Sequence, residues 1–190
     1  IRVDSGARRR GLDAPHVAIS DSADGRELVG SPSAAGTMFA VCLPVPRKPR
    51  IIIPGIPHHI THRGSRRGDT FFRAADYSAY LDLLSTWAPR LGVHVWDYCL
   101  MPNHVHVLAV PDDERALSAL FWRVARQYSH CINERQGWTG AFWQSRFRSI
   151  PMDEVHALSA IRYVLRNPVE AGLVTGAEDW PYSSARARLR

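Results

Sequence analysis

Two runs of apolar-rich, strand-like sequence, residues 93–100 and 104–110, are separated only by Met101, Pro102 and Asn103. Three residues cannot hold a crossover, so the two strands must be antiparallel neighbours. Within the second run, a period of two puts Val105 and Val107 on one face and His104 and His106 on the other. Two imidazoles side by side on a strand supply half of a metal site. A plain strand with two polar residues on its less buried face fits the same pattern, so the triplet alone does not decide between them.

The rest of the chain fills in around this pair. Residues 51–53 and 58–62 read as extended, broken by Pro54, Gly55 and Pro57. Residues 63–69 form a basic loop with two glycines. Residues 74–91 carry Tyr77, Tyr80, Leu81, Leu84 and Trp87 at helical spacing. A second helix, capped by Asp112 or Asp113, runs to about Glu134, with Leu117, Leu120, Phe121, Val124, Tyr128 and either Cys131 or Ile132 as its core stripe. Residues 138–147 read as an aromatic-rich loop or short strand. Asp153 caps a third helix, which Pro168 is expected to end at Asn167. The order predicts an α+β fold: a ferredoxin-like antiparallel sheet with helices packed on one face.

Residues 1–46 are different, rich in Gly, Ala, Ser, Asp and Pro and without periodicity, and read as a disordered extension. No methionine precedes Met38, so Met38 is a candidate for the true start. Residues 47–190 then form the single folded domain. The extension holds five arginines against five acids, so residues 47–190 carry the whole net charge of +6. Arg47, Lys48, Arg50, Arg63, Arg66 and Arg67 cluster with no acid among them, a surface suited to a polyanion or, equally, an ordinary solvated face. Cys42, Cys99 and Cys131 are odd in number and widely spaced, which argues against a disulfide framework or thiolate zinc and fits a reducing cytoplasm. There is no apolar run of membrane-spanning length and no secretory h-region.

In the third helix Tyr163 and Asn167 are four apart and share a face with His156 and Ala160, while Val155, Leu158 and Leu165 make the expected core stripe. Taken singly, Tyr163 is equally an edge aromatic and Asn167 a residue placed ahead of a proline.

Several segments, in order, resemble the HUH-type single-tyrosine transposases, most closely the REP-associated tyrosine transposases. They are PHHITHRG (57–64), YCLMPNHVH (98–106), FWQSRF (142–147), RYVLRNPVEAGLV (162–174) and DWPYSS (179–184). His104-Val105-His106 fits the histidine–hydrophobe–histidine signature. Ser65 departs from the asparagine frequent in the first loop, and nothing in residues 1–46 matches. The resemblance implies that His104, His106 and Asn167 ligate a divalent metal, Mg²⁺ or Mn²⁺, and that Tyr163 is the nucleophile. It further implies metal-dependent cleavage and rejoining of single-stranded DNA through a 5′-phosphotyrosine, in DNA transposition or recombination. The implied partner is single-stranded DNA with a hairpin or palindromic repeat, bound by a cytoplasmic, nucleoid-associated monomer or homodimer. A domesticated hairpin-binding protein without cleavage, or a replication-initiator or relaxase-type nuclease, remains the alternative.

Phosphodiester cleavage needs charge neutralised on the non-bridging oxygens and a nucleophile held in line. Two imidazoles and an amide oxygen leave positions on an ion open for phosphate. A phenol, with its ordinary pKa of about 10, must lose its proton as it attacks. Arg63, Arg66, Arg67, Arg146 and Arg148 are candidates for phosphate contacts, and Phe142, Trp143 and Phe147 are read as core rather than as base-stacking residues. The chemistry imposes one geometric requirement: His104, His106, Tyr163 and Asn167 must converge.

Overall fold

A computed structural model describes residues 50–188; the proposed extension and Cys42 lie outside the described residues. Strands β1 (His58–Arg63), β2 (Val93–Met101), β3 (His104–Pro111) and β4 (Arg148–Pro151) form one antiparallel sheet in the order β2-β3-β1-β4. Helix α1 (Ala74–Arg90) links β1 to β2, and α2 (Ala116–Gln136) links β3 to β4. This βαββαβ succession and strand order are the ferredoxin-like arrangement.

One face of the sheet presents Ile60, Leu100, Val105, Val107 and Ala109 to α1 and α2. Tyr80 and Leu84 come from α1, and Leu117, Leu120, Phe121, Val124, Tyr128 and Ile132 from α2, all buried at the expected spacing. Cys131 is exposed, which leaves Ile132 as the last residue of that stripe. Asp113 caps α2, its Oδ1 accepting from the N–H groups of Arg115 and Ala116 at 2.6 and 2.9 Å.

Helices α1 and α2 therefore share one face, as expected. The third helix, α3 (Glu154–Glu170), crosses the other. There it covers a smaller cluster of Cys99, Met101, Leu108, Met152, Ala157 and Val164. The buried stripe of α3 is Ala157, Val164 and Pro168, with Ile161 beside it, whereas Val155 and Leu158 are exposed. Of the sequence-based stripe of Val155, Leu158 and Leu165, the first two thus face water and Leu165 is half-buried. Both sides of α3 carry apolar residues, and the small side chain of Ala157 suits a close approach to the sheet.

Helix α3 also passes through Pro168 and ends at Glu170, not at Asn167, with Ala171 as its C-cap and Gly172 (φ 67°) turning the chain away. A proline within the last turn forfeits one intrahelical bond, while the following turn still closes: Ala171 N–H donates to Asn167 O and Leu173 N–H to Pro168 O, each at 2.9 Å. Because an added Cβ at Gly172 meets nothing within 4 Å, only its left-handed backbone resists substitution. Gly172→Ala should therefore cost about 1 kcal/mol, readable as a lower urea midpoint at unchanged m-value.

One further expectation shifts: residues 51–53 form no strand. Residues 138–147 are a loop, one of the two expected readings, and the short strand β4 follows directly. Along the outer side of β2, residues 182–184 run antiparallel: Leu100 N–H donates to Tyr182 O at 2.9 Å and Ser184 N–H to Tyr98 O at 3.0 Å. The short helix α4 (Ala185–Arg188) comes next, and its Arg188 grips the fully buried Asp97 with two bonds of 2.7 and 2.6 Å. No helix among the described residues is long and apolar enough to cross a membrane.

Candidate active site

The sheet face under α3 is set by strand register. His104 and His106 of β3 stand opposite Arg63 and Thr61 of β1, and Leu108 stands opposite His59. Directly paired residues share a face, so His59, Arg63, His104 and His106 all project toward α3. The same pairing puts Arg148 of β4, opposite Thr61, on this face.

A chain of ring nitrogens links these residues. His104 Nδ1 lies 2.6 Å from Asn103 Oδ1, and His104 Nε2 lies 3.0 Å from His106 Nε2. His106 Nδ1 in turn lies 2.9 Å from Nε2 of His59, whose ring stacks on that of His106 with centroids 5.1 Å apart. Because the amide oxygen of Asn103 can only accept, His104 carries its proton on Nδ1 and presents the Nε2 lone pair. If His106 donates from Nδ1 to His59, its own Nε2 lone pair faces that of His104.

Both rings are held neutral. Burial, reinforced by Arg63, lowers the His104 pKa to about 4. Burial, then the neighbouring His104, His59 and Arg63, lowers His106 to about 2. Burial also lowers His59. Neutral imidazoles are the form that binds metal. Two nitrogens bound to one ion at about 2.0–2.1 Å and roughly a right angle stand about 3 Å apart, as the two Nε2 atoms do. This donor pair fits a divalent metal. No set of three or more His, Cys, Asp or Glu side chains among the described residues is arranged to hold one.

Tyr163 projects from α3 onto this pair. Its ring meets that of His106 edge-on at 5.6 Å between centroids and that of His59 at 6.1 Å, and 48% of the residue is exposed. Asn167 sits one turn further along, with its amide nitrogen donating to the Tyr163 carbonyl at 2.9 Å; it makes no hydrogen bond to either histidine. The structure thus joins His104, His106 and Tyr163 through His106, and leaves Asn167 beside the group. His59 is the residue that local reading missed. The three histidines of β1 look alike in sequence, and only pairing with β3 separates the outward His59 from the buried His58 and His62.

The candidate DNA-contacting arginines are divided. Arg63 and Arg148 lie on the histidine face, Arg146 is exposed ahead of β4, and Arg66 and Arg67 are exposed on a 3₁₀ turn, Ser65–Arg67. Arg66 and Arg67 both hold left-handed backbone, φ 56° and 60°, which costs an L-residue about 1–2 kcal/mol each. The turn is fixed from several sides. Arg67 N–H donates to Gly64 O and Gly68 N–H to Ser65 O, at 3.2 and 3.0 Å, and Asn103 Nδ2 donates to Arg67 O at 3.2 Å. Gly64 is obligatory here, because an added Cβ would lie 2.5 Å from Gly68 O. Phe142 and Phe147 are buried and Trp143 stacks on His62, which makes all three core residues.

No curated protein matches the chain. Among solved structures, a REP-associated tyrosine transposase bound to a REP hairpin superposes with a TM-score of 0.62 at 19% identity, over 75% of this chain and 84% of that one. A Deinococcus radiodurans R1 protein assigned as a transposase gives a TM-score of 0.45 at 18% identity, over 62% of this chain and 95% of that one. The family model for IS200-like transposases matches residues 54–167, a span from the turn before β1 to Asn167 that takes in the whole sheet and both site histidines of β3; the chain belongs to that family.

Proposed function

We propose that this chain is a metal-dependent single-stranded DNA endonuclease and strand-transferase of the REP-associated branch, acting on a hairpin or palindromic repeat through Tyr163. The observation that carries the reading is the meeting of the His104–His106 nitrogen pair with the ring of Tyr163. His104 and His106 would hold the divalent ion, with the amide oxygen of Asn167 as third ligand; imidazole favours Mn²⁺, and Mg²⁺ is the abundant alternative. When bound, the ion supplies positive charge to the non-bridging phosphate oxygens.

The remaining work falls to the chain's own residues. Arg63 and Arg148, on the same sheet face, draw the phosphodiester in. The phenol of Tyr163 gives up its proton to solvent as its oxygen attacks phosphorus and forms the new P–O bond. The 3′ oxygen of the departing strand leaves and takes up a proton. The 5′-phosphotyrosine so formed stays open to attack by another 3′-OH, which returns the phenol and joins the strands. By accepting from His106 Nδ1, His59 would leave the His106 Nε2 lone pair available to a metal.

Incubating the protein with end-labelled hairpin DNA and Mg²⁺ or Mn²⁺ should yield a covalent, denaturant-resistant adduct; tight binding without any adduct would instead mark a non-cleaving binder. His59→Phe, which keeps the ring but removes the acceptor, should weaken Mn²⁺ binding by about 10–100-fold, measured by calorimetry.

A further inference from the structure

The connection between β2 and β3 is bound closely to the loop that follows β1. Pro102 O accepts from the N–H groups of Thr70 and Phe71 at 2.7 and 3.1 Å, and Gly64 N–H donates to Asn103 O at 3.0 Å. The side chain of Asn103 reaches both ways across this seam. Its Nδ2 donates to Arg67 O at 3.2 Å, and its Oδ1 lies 2.6 Å from His104 Nδ1. A backbone carbonyl can only accept, so Arg67 O fixes which end of the amide faces it. The amino group must turn to Arg67, and the oxygen is left for His104.

That choice has a chemical consequence at the histidine pair. With Asn103 Oδ1 against it, His104 Nδ1 carries the proton and Nε2 offers a lone pair. An amide rotated end for end would donate to His104 Nδ1 instead. The proton would then sit on His104 Nε2, 3.0 Å from His106 Nε2, and would close the donor pair to a cation. The rotation costs little in shape, because the two ends of an amide are nearly the same size. Among the described residues, the Arg67 carbonyl is the group that separates the two orientations.

The carbonyl stands there because the backbone is left-handed at both Arg66 and Arg67, φ 56° and 60°. An arginine gains nothing locally from this conformation. Strain of this kind persists only where the surroundings enforce it, and it gathers at functional sites. Relaxing Arg67 to right-handed or extended backbone would rotate its peptide group and swing the carbonyl away from Asn103.

We propose that Asn103, held by the carbonyl of Arg67, is a positioning residue that keeps His104 in its metal-ligating tautomer, so that the backbone of the Ser65–Arg67 turn sets the affinity of the histidine pair for a divalent cation. The inference rests on the proposed metal role of His104 and His106 and adds to it the part of the chain that prepares them.

Nitrogen-15 NMR of the imidazoles in chelator-treated protein near neutral pH reads the tautomer, and calorimetry with Mn²⁺ reads its consequence. Wild type should hold His104 protonated on Nδ1. Asn103→Leu should mix the tautomers and weaken Mn²⁺ binding about tenfold. Asn103→Asp, whose oxygens both accept, should restore the Nδ1–H form and the affinity, a rescue that a merely structural role for the side chain would not give. Arg67→Gly and Arg67→Val separate backbone from charge. Both delete the guanidinium, but glycine accepts left-handed backbone and β-branched valine resists it. Glycine should leave tautomer and affinity as in wild type, whereas valine should mix the tautomers and weaken Mn²⁺ several-fold. In the Asn103→Asp background the valine effect should vanish, because the amide that carries it is gone. Melting curves check each fold, and the exposed Arg67 pair decides the matter should Asn103→Leu not fold. A wild-type His104 protonated on Nε2, an unchanged tautomer or unchanged Mn²⁺ affinity in folded Asn103→Leu, or no difference between the two Arg67 variants overturns the proposal. A wild type that holds the Nδ1–H tautomer yet binds no Mn²⁺ overturns the metal reading on which it rests.

Discussion

Tyr163→Phe should abolish the covalent DNA adduct, lowering cleavage by on the order of a thousandfold or more, while leaving hairpin affinity within about twofold. The substitution removes the one atom that would form the bond to phosphorus and keeps the ring. The edge-on contacts of that ring with His106 and His59 survive. With 48% of the residue exposed and no hydrogen bond from its hydroxyl among the described residues, the change in stability should stay within about 0.5 kcal/mol. The measurement is denaturing electrophoresis with label on the strand 3′ of the cut, run beside an anisotropy titration. Adduct at wild-type yield in Tyr163→Phe would remove this tyrosine from the mechanism.

The largest effect on stability is expected away from the site, at Asp76. This buried carboxylate joins the start of α1 to the end of α2. Its oxygens accept from Arg135 Nη1 and Nη2 at 2.5 and 2.9 Å, from Phe72 N–H at 2.9 Å, and from Arg73 N–H and Nε at 3.2 and 3.3 Å. Burial alone would raise its pKa, but Arg135, the Phe72 N–H and Arg73 outweigh that and hold it at about 2. Asp76→Ala strands the Arg135 guanidinium and leaves two backbone N–H groups without their acceptor. A loss of roughly 3 kcal/mol, or a fall in Tm of about 10 °C, should result. The sign of the pH dependence is fixed by the depressed folded pKa. The stabilisation is fully present above the unfolded carboxylate pKa near 4 and fades as pH drops toward 2, amounting to about 2 kcal/mol. Urea midpoints of wild type and Asp76→Asn should therefore differ at pH 7 and converge near pH 2. A gap that persists at pH 2 would assign the effect to shape rather than charge.

Much of this architecture is legible locally. A three-residue connection dictates the β2–β3 pair, and the stripes of α1 and α2 are one-sided enough to fix their buried faces. The placement of His104 and His106 comes from period two alone. Helix α3 is harder because apolar residues sit on two sides of it. Val155 and Leu158 are larger than Ala157, yet the small residue lies against the sheet and the large ones face water. Pro168 reads as a stop but lies in the last turn, where one lost bond is tolerable, and the helix runs on to Glu170 before the left-handed Gly172 turns the chain away. His59 and Asn103 escape local reading for a common reason. Each gains its meaning from a partner distant in sequence, His106 for the first and Arg67 for the second, and no periodicity encodes such pairing.

The segment at residues 182–184 bears on self-association. An open strand edge is a template for another chain, and unprotected edges seed aggregation. Here the β2 edge is occupied by the chain's own tail, pinned by Arg188 on Asp97. The opposite edge, β4, extends only four residues, begins with a charged arginine and ends in a proline that has no N–H to offer. The sheet thus has one margin sealed and the other too short to recruit a foreign strand, which disfavours edge-to-edge aggregation of the described domain.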